Sequence, residues 1–493
     1  MKVLNRRVAY MLATILLAVN CMAMDTVGAA EAVKSDSRPI PVSVAGGSGH
    51  GVAAWSDGSV TAWGYNKSGQ VGDGTSIHQL VPKQVTGLSD IVEVAAGDNS
   101  SFALDKNGDV WAWGDHYSPY INGDPALPHQ KRGGPIKLEG LKDVASLAFV
   151  RYSGVALHKD GTATIWHPAS NPDNPLIRSV KYFPVKGVKN EKSMIIAGHE
   201  ALMLGKDGSV DMLTVYNSFY DRYRLEREFR EIKPLVTSSI AGIAADWYDV
   251  FLLHENGTVL RWNVNEKQQV PAAVKGLNDI QEIRTGSNRL YMLKNDGTVW
   301  QWKYNDPAAK PFQVKGLTGI KALWGSNGYT GYATNKDGML LAWGEEKYQG
   351  SGSPNENDRN PVLVQPPLSW TANGQSVSFY GSSAIVKGKL YVPYTSVFEA
   401  LGIKVKRGQS NPDPKQGNHR YPVWSFSYGG NTVSIKSSDP AVVLVNGKVT
   451  REDVSIPFMA NSSMFPLELI TTQLGIPMSW NKATGEVILG KTL

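Results

Sequence analysis

Cysteine is all but missing. Cys21 is the single one in 493 residues, and it lies in an N-terminal stretch that reads as removable. Without that stretch the chain has no thiol, which excludes disulfides, a cysteine nucleophile and cysteine-held metals. Histidine is sparse as well: none of the nine stands at metal-ligand spacing, with neither H-x-H nor H-E-x-x-H present. A strand-turn-helix nucleophile elbow is also lacking. Gly47-Ser48-Gly49 and Gly350-Ser351-Gly352 are loops with no helical pattern behind them. An excess of one charge is absent too. Fifty basic residues stand against 44 acidic, a net of +6, which is no electrostatic footprint for nucleic acid.

No apolar run is long enough to span a bilayer. Val8–Val19, behind the basic Lys2, Arg6 and Arg7, is short and reads as the core of an export signal, with small residues at Ala23 and at Gly28-Ala29-Ala30 for cleavage. Cys21 follows Asn20, where a lipoprotein box would carry a small residue, so it reads as a passenger of the signal. Cutting after Ala30 removes three cations and Asp25, leaving +4. The expectation is a signal peptide over residues 1–30, a linker over 31–38, and a secreted or cell-envelope-associated protein with no membrane span in its mature form. Export without cysteine fits a bacterium.

What is abundant is glycine and proline, 50 and 27 residues. They punctuate a repeat. Ser56–Gly74 sets its form: a tight-turn tripeptide, an alternating strand ending in Trp63, and a glycine-rich loop. The turn glycine recurs at Gly58, Gly108, Gly161, Gly208, Gly257, Gly297 and Gly338, with gaps of 50, 53, 47, 49, 40 and 41 by subtraction. Asp-Gly or Asn-Gly between short apolar runs predicts a hairpin, with positive φ expected at both turn positions. Between hairpins lies a further strand behind a glycine lead-in, as in Gly87–Val94, Gly276–Ile283 and Gly316–Leu323. Several short strands at this period indicate a propeller. Seven units predict a mainly β fold, a seven-bladed β-propeller over residues 39–367. The runs Ile40–Gly46 and Asn360–Gln365 are expected to complete one sheet together and so close the ring.

The pattern G-L-x-x-I-x-x-I-x-A-G, A-L-x-x-D-G-x-V-W-x-W-G and N-x-x-G-Q-x-G-x-G resembles the regulator of chromosome condensation repeat. Trp63, Gly64, Asn66, Gly69, Gln70, Gly72 and Gly74 carry the resemblance in the first unit, whereas units three to six lose the glycine loop. The resemblance implies the fold more than a function, since propellers host unrelated activities. The family's nucleotide-exchange activity does not fit an exported chain, and secreted propeller inhibitors of β-lactamases share the repeat. The regular tryptophans (Trp63, Trp113, Trp166, Trp262, Trp302, Trp343) read as packing between blades. Asp105–Asp109 lacks the residue order of a calcium loop and reads as a turn.

Function on a repeat scaffold is carried by irregular insertions. Three stand out: His116–Gly134, with Tyr117 and Tyr120 either side of Ser118-Pro119, then His167–Arg178 and Tyr216–Glu231. The last interleaves Tyr216, Phe219, Tyr220 and Tyr223 with Arg222, Arg224 and Arg227, residue types enriched at interface hot spots. These are the candidate partner-binding residues. No catalytic, cofactor-binding or metal set is expected. The function read from the sequence is an exported non-catalytic scaffold that binds an extracellular or cell-envelope protein through its propeller loops. Wall glycan binding, or hydrolase or lyase action on an extracellular polymer, is the alternative.

After Pro366-Pro367 the repeat stops and a second duplication begins. Pro393…Leu401-Gly402 and Pro466…Leu474-Gly475 match at an offset of 73, each proline opening and each glycine closing a helix. Strands are expected at Ser376–Tyr380, Thr432–Lys436, Val442–Val445 and Glu486–Leu489, making residues 368–493 a small α+β domain. It resembles the N-terminal, stalk-like domain of copper amine oxidases. The copper and quinone of those enzymes belong to another domain, and His419 is the only histidine here. The resemblance implies an interaction or spacer module.

Overall fold

The computed structural model describes residues 39–490, apart from 116–133, 151–152, 171–177, 186–187, 189–190, 198–199, 216–228, 237–238, 247, 265–270, 327, 345–348, 352–359, 380, 395, 413–418, 439–440, 455, 457 and 460–461. Among the described residues, 41–363 form seven four-stranded antiparallel sheets, each made of four consecutive strands. Sheet 1 is Pro41–Gly46, His50–Trp55, Val60–Gly64 and Gln79–Gln84. Sheets 2 to 7 follow over residues 91–137, 144–185, 191–236, 240–273, 280–313 and 320–363. The first strand of each sheet neighbours the first strand of the next, and that of sheet 7 neighbours that of sheet 1. The first strands are therefore innermost, the arrangement of a β-propeller.

The ends of the ring do not share a sheet as expected. Pro41–Gly46 belongs to sheet 1 and Val362–Leu363 to sheet 7. Each structural unit begins at its innermost strand and supplies all four strands, so nothing is left over to swap. The ends meet through packing and backbone: Gly46 N–H donates to Gly325 O at 3.2 Å, and Val44, Trp63, Tyr332 and Val364 share one apolar cluster.

The hairpins form where the glycines predict them, with a different turn. All seven turn glycines have positive φ, from 73° to 93°, but the residue before each does not. Gly58 N–H donates to Trp55 O at 2.8 Å and Trp55 N–H to Ser59 O at 2.9 Å, a type I turn closed by a left-handed glycine. The Asp or Asn acts through its side chain instead. Oδ1 of Asp160, Asp207, Asn256 and Asp296 each accepts the N–H and the hydroxyl of the Ser or Thr two residues on. The two positive φ values of the expected turn are thus replaced by one glycine and one side-chain cap.

A second device straps sheet to sheet. Asp90, Asp143, Ser239 and Asp279 adopt positive φ just before an innermost strand. The next residue donates its N–H to the turn glycine of the preceding sheet: Ile91 to Gly58, Val144 to Gly108, Ile240 to Gly208 and Ile280 to Gly257, each at 3.0–3.1 Å. A β-bulge follows at the second residue of all seven innermost strands, displacing Val42, Val92, Ala145, Lys192, Ala241, Gln281 and Lys321 from the ladder.

The tryptophans pack between sheets. Trp63, Trp113 and Trp166 are fully buried and Trp343 is 2% exposed. Trp63, Trp166 and Trp343 lie edge-on to Tyr332, Phe102 and Tyr291 of the preceding sheet, with centroids 5.3–5.9 Å apart. Trp302 is the partial exception: half-buried, it has the Arg261 guanidinium 5.8 Å from its ring.

Residues 369–489 form three further sheets around two short helices, Ser396–Ala400 and Leu467–Gln473. Gly402 and Gly475, both at φ 74°, end the helices as read from the sequence. Strands Lys389–Pro393 and Ser462–Pro466 pair antiparallel through Val392 and Phe465. Those two residues are 73 apart, so the duplication is realised as a two-fold pairing of its own copies. The strand expected over Ser376–Tyr380 does not form there: the observed strand is Gln375–Ser376, and Val377 and Phe379 instead pack on the core beside Trp370.

Candidate partner-binding face

Each sheet has two ends. The Asp-Gly hairpins and the sheet-to-sheet straps occupy one. The turns between first and second strands, and the connections between third and fourth strands, occupy the other. At this second end, bonds join neighbouring turns around sheets 5, 6, 7, 1 and 2 into part of a rim. Ser48 N–H donates to Asp98 O at 3.1 Å, Ser326 N–H to Thr285 O at 3.1 Å and Ser287 N–H to Gly328 O at 2.7 Å. Asn288 N–H donates to Asp246 Oδ2 at 2.5 Å.

In sheet 1 the third-to-fourth connection is the glycine loop, and Asn66 is its hub. Its Nδ2 faces Asp73 Oδ1 (3.0 Å), Thr75 O (3.1 Å) and Ile77 O (3.0 Å), while its Oδ1 accepts Val71 N–H at 2.9 Å. Gln70 O accepts the Trp113 indole N–H at 2.9 Å and the Ser101 hydroxyl at 2.8 Å, clamping the loop to sheet 2. Gly72 has positive φ, and a Cβ there would lie 2.8 Å from Trp113 Nε1. The family glycines are thus spaced for a tryptophan of the next sheet.

Two histidines brace this loop. His50 is buried, with Nε2 2.9 Å from Ser101 Oγ. Since Ser101 gives its proton to Gln70 O, His50 Nε2 donates. Burial pulls its pKa down to about 4 against a weaker raising contact with Ser100. His78 stacks on Tyr65, centroids 4.6 Å apart, and its Nδ1 accepts Asn66 N–H at 2.9 Å. Burial, then Lys67, lowers its pKa.

Sheets 5 to 7 carry the other polar cluster. The Tyr304 hydroxyl donates to Asp246 Oδ2 at 2.5 Å, and Arg261 holds Asp249 through Nε (2.8 Å) and Nη2 (2.7 Å). Burial raises the Asp246 pKa, opposed by the bonds from Tyr304 and Asn288. Burial, then the Asp246 charge, raises that of Tyr304, which stays protonated. The Arg289 guanidinium lies 4.9 Å from the ring of Tyr329, which is 42% exposed. This is a polar rim with its groups engaged one with another.

Position 118 and the aromatic and basic residues expected to bind a partner (Tyr117, Tyr120, Tyr216, Phe219, Tyr220, Arg222, Tyr223, Arg224, Arg227) lie outside the described residues. Where their segments depart is described: after Asp115 in sheet 2 and after Val215 in sheet 4, each behind a third strand. Asp246, Arg261, Arg289, Tyr304 and Tyr329 escaped the sequence reading, because they share no motif and recur in no other unit. In the C-terminal domain His419 packs edge-on to Tyr421, centroids 4.7 Å apart. With no second histidine the domain does not fit a histidine-held copper. Among the described residues no three His, Cys, Asp or Glu side chains are grouped to share a metal ion.

Comparison with known proteins agrees with the repeat. Residues 57–104 and 91–118 match the Regulator of chromosome condensation (RCC1) repeat, and residues 371–489 match the copper amine oxidase N-terminal domain. The chain is 36% identical over 87 residues to the RCC1 domain-containing protein RUG3, mitochondrial, of Arabidopsis thaliana, covering 17% of this chain and 19% of that protein. It is 40% identical over 73 residues to the Ultraviolet-B receptor UVR8 of the same plant, covering 14% and 17%. The chain thus spans under a fifth of the length of either relative. Yeast RCC1 (Prp20), in its structure with Kap60, aligns at TM-score 0.48 and 16% identity over 70% of this chain and 91% of that one. The chain carries RCC1 repeats followed by a copper amine oxidase N-terminal domain.

Proposed function

We propose that this chain is an exported, non-catalytic bacterial scaffold that binds a protein or cell-envelope partner through the rim end of a seven-bladed propeller. The observation that carries this reading is where the insertions leave. Residues 116–133, 171–177 and 216–228 each join a third to a fourth strand, in three successive sheets. All three therefore depart from the same end of adjacent sheets, the end at which the turns of sheets 5, 6, 7, 1 and 2 are bonded into part of a rim. Function-bearing loops on a rigid scaffold follow this plan. Relatives that share the repeat support a protein-binding or regulatory role in general terms. The C-terminal domain, packed on sheet 1, serves as spacer or second contact.

The test is capture from the producing cell's envelope and secretome by the mature chain beginning at Glu31. The comparison bait has residues 216–231 replaced by a short Gly/Ser turn. A protein retained by the first bait and lost by the second is the expected result. Equal retention by both would move the binding surface elsewhere. Co-sedimentation with purified wall, and no protein captured, would replace the protein partner with glycan.

A further inference from the structure

The outer strands of the seven sheets are unequal. In sheets 2, 5, 6 and 7 they are two residues long. Short edges are one way that β proteins avoid unwanted pairing. Sheet 1 has a six-residue outer strand, Gln79–Gln84, and the chain covers it. Leu80 N–H donates to Ser382 Oγ at 3.0 Å, and Leu80 packs with Ala384, Tyr391 and Met464 of the C-terminal domain. Sheets 3 and 4 have outer strands of eight residues, Arg178–Val185 and Phe229–Val236. Among the described residues nothing pairs with their outer edges.

The prolines of sheet 3 tell which backbone groups face outward. Pro168 stands opposite Val180 and Pro184 opposite Thr164. Proline has no N–H to give, so neither pair is a hydrogen-bonded one. Such pairs alternate along an antiparallel ladder. Lys181 and Phe183 therefore bond inward to the third strand. Arg178, Val180 and Tyr182 turn N–H and C=O to the free edge, and Pro184 ends the row of donors. The strand is anchored on one face, where Tyr182 lies over Gly140 so closely that a Cβ there would be 2.3 Å from its ring.

We propose that the edge Arg178–Tyr182 is a docking site for an extended, acidic segment of another protein, added as a fifth strand to sheet 3. Backbone pairing supplies the affinity in this mode and side chains the choice of partner. Arg178–Val185 carries two cations, Arg178 and Lys181, and no acid. A second copy pairing edge to edge would bring cations toward cations, which is unfavourable across strands, whereas alternating acidic residues on the face that Lys181 occupies complement that lysine. The edge lies on the flank of the ring, so the inference does not depend on partner binding at the rim.

The experiment uses the mature full-length chain and two fluorescent peptides, Glu-Val-Glu-Val-Glu and Lys-Val-Lys-Val-Lys. The acidic peptide is expected to bind at least about tenfold more tightly than the basic one. It should slow hydrogen exchange at the Val180 and Tyr182 amides, with Lys181 and Phe183 already slow. Val180→Pro removes one outward donor and no inward one, so binding should fall about tenfold with the melting transition kept. Lys181→Glu should invert the preference and serves if the proline variant fails to fold. Equal binding of both peptides, or an unchanged affinity in both variants, would overturn the proposal. So would Val180 and Tyr182 amides as slow as their neighbours in the free protein, since the chain would then cover its own edge. A dimer in sedimentation that Val180→Pro dissolves would assign the edge to a second copy instead.

Discussion

Glu93 sits on the innermost strand of sheet 2, and its carboxylate accepts Leu147 N–H of sheet 3 at 2.9 Å. Glu282, at the same repeat position, accepts Leu323 N–H of sheet 7 at 3.0 Å. An innermost strand has an unpaired edge, and these side chains satisfy part of it. For Glu93 burial outweighs that bond and pushes the pKa up to about 7. The unfolded chain gives up this proton near the ordinary carboxylate value, so stability is lost as pH rises from about 4.5 to 7, on the order of 3 kcal/mol. Glu93→Gln keeps an acceptor and should remove that slope, read as denaturant midpoints across the range. His50 acts at the other side. Its depressed pKa means stability falls as pH drops from about 6.5 to 4, by about 3 kcal/mol, and His50→Gln should flatten that limb. A wild-type and variant pair with parallel pH curves would rule out the corresponding assignment. Trp113→Ala should cost ~3–5 kcal/mol, because the ring is fully buried between sheets and also holds Gln70 O.

Among local elements, the hairpin turn does two jobs. Gly108 has φ 93°, and a Cβ there would lie 2.9 Å from Asp143 Cα and from Val144 N, in the strap of the next sheet. Gly475, at φ 74° behind a helix, has nothing within 4 Å. Both changes to alanine meet left-handed strain, worth ~1 kcal/mol, but only Gly108→Ala also presses on backbone, adding ~1–3 kcal/mol. Unfolding of the two variants should separate by that difference, and equal costs would mean that the turn does not bear on the next sheet. The glycine loop of sheet 1 shows the same economy. Its conformation is set by Asn66 and the glycines, while its purpose is set by Trp113 of the neighbouring sheet.

For the molecule as a whole, the contact between propeller and C-terminal domain centres on Leu80, which is 3% exposed. Residues 39–493 form one compact unit. Leu80→Ala should cost ~2–4 kcal/mol and loosen that contact. Calorimetry should then show two separated transitions in place of one, with new protease cleavage around Pro366-Pro367. A single transition merely shifted downward would mean that the two parts are coupled by more than this contact.

Much was legible without coordinates. The turn glycines, the strands around them, the inter-blade tryptophans and the duplicated proline-to-glycine helices all depend on interactions within a dozen residues, or on a spacing that repeats. The repeat also held an unread signal, since Glu93 and Glu282 stand two residues after Ile91 and Ile280 in matching lead-ins. Other features had no such trace. The turn type depends on a side-chain cap that competes with a second positive φ. The positive φ of Asp90 and Asp143 is imposed by straps between sheets. The bonding of Asp246 with Asn288 and Tyr304 joins two sheets at residues that no period relates. Which end of the sheets gathers the insertions, and which edge the C-terminal domain covers, followed from how sheets pack in space. Periodicity specifies an element and its faces, whereas partners across an interface are chosen by contacts between residues far apart in the chain.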